Sequence, residues 1–171
     1  MRNYFIRPIK IEDSNLYLIW YQNDHDGLVL NDSGSVLAFG SKKQLRKFAE
    51  SHSMELRPTD RMLIDLDFLA NWLKEPDPKG VDCFIFLESW NLFGDLRSSI
   101  ENRNTDPDDN KHLHIYDKLF YGNNLPAVTP EGREYEPIWT EEDVLELRDV
   151  LEPGLNLFRN RLLKMDKNAS S

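Results

Sequence analysis

The run VDCFIFLESWNLFGDLRSSI, residues 81–100, constrains this chain more than any other segment. Asp82 is placed as an N-cap, so the run predicts a helix. That helix is apolar almost all round, and a helix without a broad wet face belongs at the centre of a fold. The remaining chain must therefore form a shell around it. With 171 residues, 40% of them apolar, one domain can supply that shell without disulfide or metal staples. The exception on the helix is a polar stripe, Glu88, Asn91 and Asp95, at i, i+3 and i+7. Two carboxylates on one face can act as acid and base or hold a metal. The structural reading carries more weight, because polar groups on a central helix need hydrogen-bond partners. It comes with a definite expectation: Glu88 or Asn91 contacts the irregular stretch LFYGNNLPAVTPEGREYEPIW (119–139), whose amides need acceptors.

The first forty residues read as strands. NLYLIWYQ is aromatic and β-branched, and YFIRPIKI is a strand that Pro8 would place at an edge. GLVLNDSGSVLAFG carries a hairpin signal at Asn31-Asp32-Ser33-Gly34. The period then changes. SKKQLRKFAESH opens with Ser41 and Gln44 in capping-box spacing, with Leu45, Phe48 and Ala49 as its apolar stripe. A second helix puts Phe68, Leu69, Trp72 and Leu73 inward and stops at Pro76 and Pro78. LHIYDKLFYG is a short helix closed by Gly122. The last helix has Thr140 as N-cap, acid at Glu141, Glu142 and Asp143 in its first turn, and a staple between Trp139 and Val144. Its stripe of Val144, Leu147, Leu151, Leu155, Phe158, Leu162 and Met165 keeps phase across Pro153, which predicts a long kinked helix or two nearly collinear ones. The fold class is thus α+β: an N-terminal antiparallel sheet of three to five strands packed on about five helices. Residues 1–165 form a single domain and 166–171 a frayed tail.

Charge is unevenly spread. Residues 1–80 are balanced, whereas 82–152 carry 17 acidic and 6 basic residues. An acidic surface repels a phosphate backbone, which argues against direct nucleic-acid binding, and it attracts a basic partner. No segment is apolar enough to span a membrane. The single cysteine, Cys83, excludes a disulfide framework, and a cytoplasmic setting is the simplest expectation.

Candidate chemistry is sparse. Cys83 sits in the apolar run CFIFL, where a buried structural thiol is far commoner than a nucleophile. His112 and His114 with Asp106, Asp108 and Asp117 have partial metal-ligand character, but Lys111 occupies the position where a calcium loop requires Gly. NDHDG (23–27) lacks the closing acid, and turn chemistry explains both segments better. No phosphate loop, Ser elbow or paired CxxC is present. The expectation is therefore no catalytic residue, no metal and no cofactor. The alternatives are a metal-dependent hydrolase using Glu88, Asp95, His112 and His114, and an adaptor for a non-toxin protein.

Several blocks occur in a characteristic order: Asp65-Leu66-Asp67 before a Trp-containing helix, a Pro-rich turn, Asp82-Cys83, Trp90-Asn91-Leu92-Phe93, Tyr116-Asp117-Lys118-Leu119-Phe120 and Gly122-Asn123-Asn124-Leu125-Pro126. In these blocks, across residues 63–139, the chain resembles bacterial immunity proteins encoded beside secreted toxins of the contact-dependent inhibition and polymorphic-toxin type. The resemblance implies a role, stoichiometric neutralisation of one cognate toxin, often a nuclease, in the producing cell. It implies no shared catalytic residues. Independently, Glu131, Glu134, Glu136, Glu141, Glu142 and Asp143 are interleaved with Tyr135 and Trp139, a pattern of aromatic anchors in a charged rim. The 131–143 segment is accordingly the expected partner-facing surface for a basic toxin domain, and Asn123-Asn124-Leu125-Pro126 the expected clasp over the central helix.

Overall fold

The computed structural model describes residues 1–102 and 110–166. Strands β1 (Asn3–Ile11) and β2 (Ser14–Gln22) form a long antiparallel hairpin. Glu12 and Asp13 both have positive φ, 51° and 58°, the conformation of a two-residue turn that matches the twist of paired strands. Neither is Gly or Asn, so the turn gave no sequence signal. It is held from outside: the Asp67 carboxylate accepts both turn amides, at 2.7 and 2.9 Å. Strand β3 (Gly27–Leu28) pairs with β2, and β4 (Val36–Ala38) follows the loop at 31–35. That loop is built as the sequence indicates. Asn31 Oδ1 accepts from the Ser33 and Ser35 amides, and Gly34 takes the left-handed position at φ 78°.

Helix α1 (Lys42–Ser51) is capped by Ser41, whose hydroxyl accepts from the Gln44 amide. Gln44 reaches back one residue further than a regular capping box, to the Gly40 amide. After β5 (Ile64–Asp65), helix α2 (Leu66–Lys74) is capped by Asp65. It buries Leu66, Leu69 and Trp72, whereas Phe68, expected inward, is exposed. The buried stripe runs 66-69-72, and Phe68, about 200° around the axis from Leu66, falls off it. Helices α3 (Cys83–Glu101), α4 (Leu113–Gly122) and α5 (Glu141–Arg161) follow, and β6 (Leu162–Lys164) is the last element described.

The α+β class holds, with five α-helices and a four-stranded sheet in the order β3-β2-β1-β5 among the described residues. Two details differ from expectation. The sheet is mixed, because β5 joins β1 in parallel, and β1 is internal despite Pro8. In a hairpin closed by a two-residue turn, Pro8↔Tyr17 is a non-hydrogen-bonded pair, so the missing N–H costs β1 nothing in its ladder with β2. On the other side, β5 pairs only at Ile9 and Lys10, past the proline. The second detail is the C-terminus. Leu162 and Met165 do not extend the helix. Leu162–Lys164 instead pairs in parallel with β4, and the Met165 amide donates to Ala38 O at 2.8 Å. Among residues 166–171, only Asp166 is described, and its carbonyl accepts from Gln44 Nε2.

The β1–β2 sheet carries a core on each face. Ile6, Ile19, Leu37 and Phe39 pack against Leu45 and Ala49 of α1. Ile9, Ile11, Leu16, Leu18 and Trp20 face α2, α3 and α5. As expected, α3 is central. Helix α5 runs unbroken through Pro153, and Gly154 lets it approach α3: a Cβ there would lie 2.8 Å from Cγ and 3.0 Å from Cβ of the fully buried Phe93. The ring cannot swing clear of a contact at its own Cβ. Gly154→Ala is therefore expected to destabilise the protein by about 1–2 kcal/mol in urea unfolding, although Ala adds roughly 1 kcal/mol of helix propensity. A stabilised variant would show that the two helices have room to part.

Candidate functional site

Two concave sites lie on opposite flanks of α4. The first is an open groove of about 690 Å³, walled by α4, the 119–139 segment and the start of α5. Its geometry begins with the α4–α5 pairing. Lys118 Nζ lies 2.6 Å from Asp143 Oδ2, and Glu146 receives both His112 Nδ1, at 3.1 Å, and His114 Nε2, at 3.2 Å. Asp143 also closes a capping box with the expected N-cap, receiving the Thr140 amide at 3.0 Å while Thr140 Oγ1 accepts the Asp143 amide at 3.1 Å. Burial pushes the Asp143 carboxyl up, but its hydrogen bonds to Lys118 and Thr140 outweigh that and hold it below its ordinary value. This carboxylate is thus engaged within the chain.

The long loop is assembled from short, identifiable pieces. Asn123 Nδ2 donates to the carbonyls of Cys83 and Leu119, fixing the loop to the start of α3. Asn124, at φ 49°, uses its side-chain amide as a two-sided clasp: Oδ1 accepts from the Tyr135 amide at 2.6 Å and Nδ2 donates to Tyr135 O at 2.9 Å. Between these arms lies the turn at 130–133, with Gly132 at φ 74° in the position that a type II turn reserves for glycine. The expected clasp over α3 is present, formed by Asn123. The expected contact from Glu88 or Asn91 to this loop is not, since those side chains bond elsewhere. Gly122 is the last residue of α4 and is not a left-handed terminator. A Cβ there would meet Pro137 Cγ at 2.9 Å, so the glycine lets the returning loop pack close.

Tyr121, Val128 and Tyr135 line this groove and are exposed, and so are Leu125, Ile138 and Leu145 in the neighbouring sequence, Ile138 at 82%. Glu131, Glu134, Glu136, Glu141 and Glu142 are exposed as well. Trp139 is half-buried against the main core, with Lys118 Nζ 5.0 Å from its ring centre. The staple thus secures the helix start and leaves Ile138, one residue earlier, facing outward.

The second site is a smaller cavity of about 270 Å³ between the sheet and α3, bounded also by Tyr116 and by the 57–63 connector. Here the polar stripe finds its partners. Glu88 pairs with Arg7 of β1, Asn91 Oδ1 accepts from the Tyr116 hydroxyl at 3.0 Å, and Asp95 Oδ2 accepts from Trp20 Nε1 at 2.9 Å. Arg61 stacks over the Trp20 ring, 4.3 Å from its centre, and Asp26 completes the charged lining. Arg7 is only 4% exposed. Burial pulls its guanidinium below the ordinary value, against the opposing pull of Glu88. Burial pushes the Asp95 carboxyl up to about 6 and raises Asp26 and the Tyr116 hydroxyl as well. Nothing in the sequence pairs Arg7 and Arg61 with the α3 stripe, and Asp26 belongs to the NDHDG turn. Strand alternation offers a signal for the first: Arg7 shares parity with Phe5, Ile9 and Ile11, the inward face. Asp26 and Arg61 lie in irregular segments with no periodicity to reveal them.

The structure does not gather the residues of the metal-hydrolase reading. Glu88 and Asp95 line the small cavity, whereas His112 and His114 bond Glu146 on the other flank. His114 and Tyr116 are two apart on one helix, about 200° around its axis, so they serve opposite sites. Asp106 and Asp108 lie outside the described residues, and Asp117 lines the groove. Among the described residues no group of three or more His, Cys, Asp or Glu side chains could hold a metal ion. Burial and the neighbouring Asp82 push the Cys83 thiol up to about 11, away from thiolate chemistry. No helix among the described residues is long and apolar enough to cross a membrane.

No family model matches the chain, and no curated protein does. Among solved structures it is similar to the C-terminal domain of SatS, crystallised in complex with bromine, with a TM-score of 0.54 and 15% identity over 96% of this chain and 94% of that one. At that identity the likeness is one of fold.

Proposed function

We propose that this chain is an immunity-type inhibitor that binds one cognate toxin domain, a basic protein and by resemblance often a nuclease, and neutralises it stoichiometrically in the cytoplasm of the producing cell. The observation that carries this reading is the concentration of exposed apolar side chains and exposed acid within residues 121–142. Tyr121, Tyr135 and Ile138 are anchors of the kind that dominate interface energies, and Glu131, Glu134, Glu136, Glu141 and Glu142 form an acidic rim. Such a rim matches a basic phosphate-binding cleft and speeds encounter with it. The order of sequence blocks across 63–139 gives independent support for the immunity role. Asp143, expected on the same surface, lines the groove and also fixes α4 to α5 through Lys118.

Co-expression with the product of the adjacent toxin gene is expected to yield a one-to-one complex of nanomolar affinity. The double charge reversal Glu134→Lys with Glu136→Lys is expected to weaken it by about 10- to 100-fold, chiefly through a slower on-rate, with a shallower dependence on salt. Unchanged affinity in that variant would remove the acidic rim from the interface, and a locus without a secreted toxin would remove the immunity role.

A further inference from the structure

Beyond the partner-binding face, we infer that the cavity between Arg7, Arg61, Asp26 and Asp95 is a binding site for a small zwitterion of the α-amino acid class, its carboxylate held by the two guanidinium groups and its ammonium by the two aspartates. The charges select this chemistry. Three carboxylates line the cavity with the two arginines, so a phosphate or other multiply charged anion is repelled. A simple cation meets two guanidinium groups. A ligand carrying both signs satisfies both sets at once.

The side chains are also short of partners in a way that a ligand would mend. Arg7 spends one nitrogen on Glu88 and, among the described residues, donates to nothing else, although a guanidinium carries five N–H groups. A buried charge such as Arg7 is ordinarily paired and fully hydrogen-bonded. Arg61 lies at the exposed mouth of the cavity, stacked on Trp20, with no protein hydrogen bond to its guanidinium among the described residues, so it is free to meet a ligand. The Trp20 indole orders the two halves of the site: Arg61 covers its face, while its N–H holds Asp95. Leu92 and Tyr116 line the rest of the cavity, and about 270 Å³ lies below the range of drug-sized pockets, which suits a molecule of amino-acid size.

The test uses the full chain and the twenty L-amino acids, each at about 10 mM, with sodium acetate and methylammonium chloride as single-charge probes, read by thermal unfolding and Trp fluorescence. At least one amino acid is expected to raise Tm by about 4 °C or more and to change Trp fluorescence saturably, with each single-charge probe at least about tenfold weaker. Arg61→Ala, in the irregular connector, and Asp95→Asn, which keeps an acceptor for Trp20, are each expected to weaken binding about tenfold or more with circular dichroism unchanged. The inference is overturned if no amino acid shifts either signal, if acetate binds as well as the zwitterion, or if Arg61→Ala binds normally. Neither variant alters the acidic rim, so toxin binding fails or survives independently.

Discussion

Glu88→Ala is expected to lower the unfolding free energy by about 2–4 kcal/mol. The cost does not measure the strength of the ion pair. It arises because Arg7, on the inward face of β1, would remain charged and 4% exposed with its carboxylate gone. Arginine does not escape by losing its proton. Water reaching the partly exposed Glu88 position keeps the figure below that of a fully sealed pair. Replacing both partners, Arg7→Met with Glu88→Leu, is expected to recover most of the loss, because it removes the stranded charge as well as the pair. Urea unfolding of the wild type, both single variants and the double variant closes the cycle. A Glu88→Ala cost under about 1 kcal/mol would mean that the pair behaves as an exposed surface bridge.

Asp95→Asn is expected to stabilise the protein at neutral pH, on the order of 1–3 kcal/mol, and to leave it nearly unchanged in acid. Burial raises the folded-state value of Asp95 from 3.8 to about 6, against the hydrogen bond from Trp20 and the pull of Arg61 and Arg7. Between those values the folded chain holds this proton more tightly than the unfolded chain. Its contribution to stability is therefore complete below about pH 4 and is lost as pH rises through about 6. Asparagine keeps an oxygen for Trp20 Nε1 and carries no charge to bury. Urea curves at about pH 4, 5, 6 and 7.5 should show the variant and the wild type diverging across that window. A gain of equal size at every pH would tie the effect to packing instead of titration.

Much of the scaffold was legible because it rests on short-range rules. Asp82, Ser41 and Thr140 cap the helices expected of them, and the 83–101 helix is central for the reason its sequence gives: apart from one narrow polar stripe, its surface is apolar. The 131–143 acid could be located, and the structure adds the exposed Tyr121, Val128 and Ile138 beside it. Asp143 shows the limit of such reading. Its place in the acidic run resembled that of its neighbours, yet it lies within reach of Lys118 on another helix and is engaged there.

The sequence by itself determined the helix starts, the apolar stripes and the α+β class, since caps and periodicity are set by residues a few positions apart. Tertiary structure alone decided where the polar stripe of α3 would turn. It joins Arg7, Trp20, Asp26, Arg61 and Tyr116 from separate segments, and only their approach removes the water that would otherwise solvate those charges. Likewise, only the unpaired edge of β4 explains why the chain leaves its helical register after Arg161. A strand's open amides can recruit any segment that reaches them, and which segment arrives depends on how the whole chain is packed.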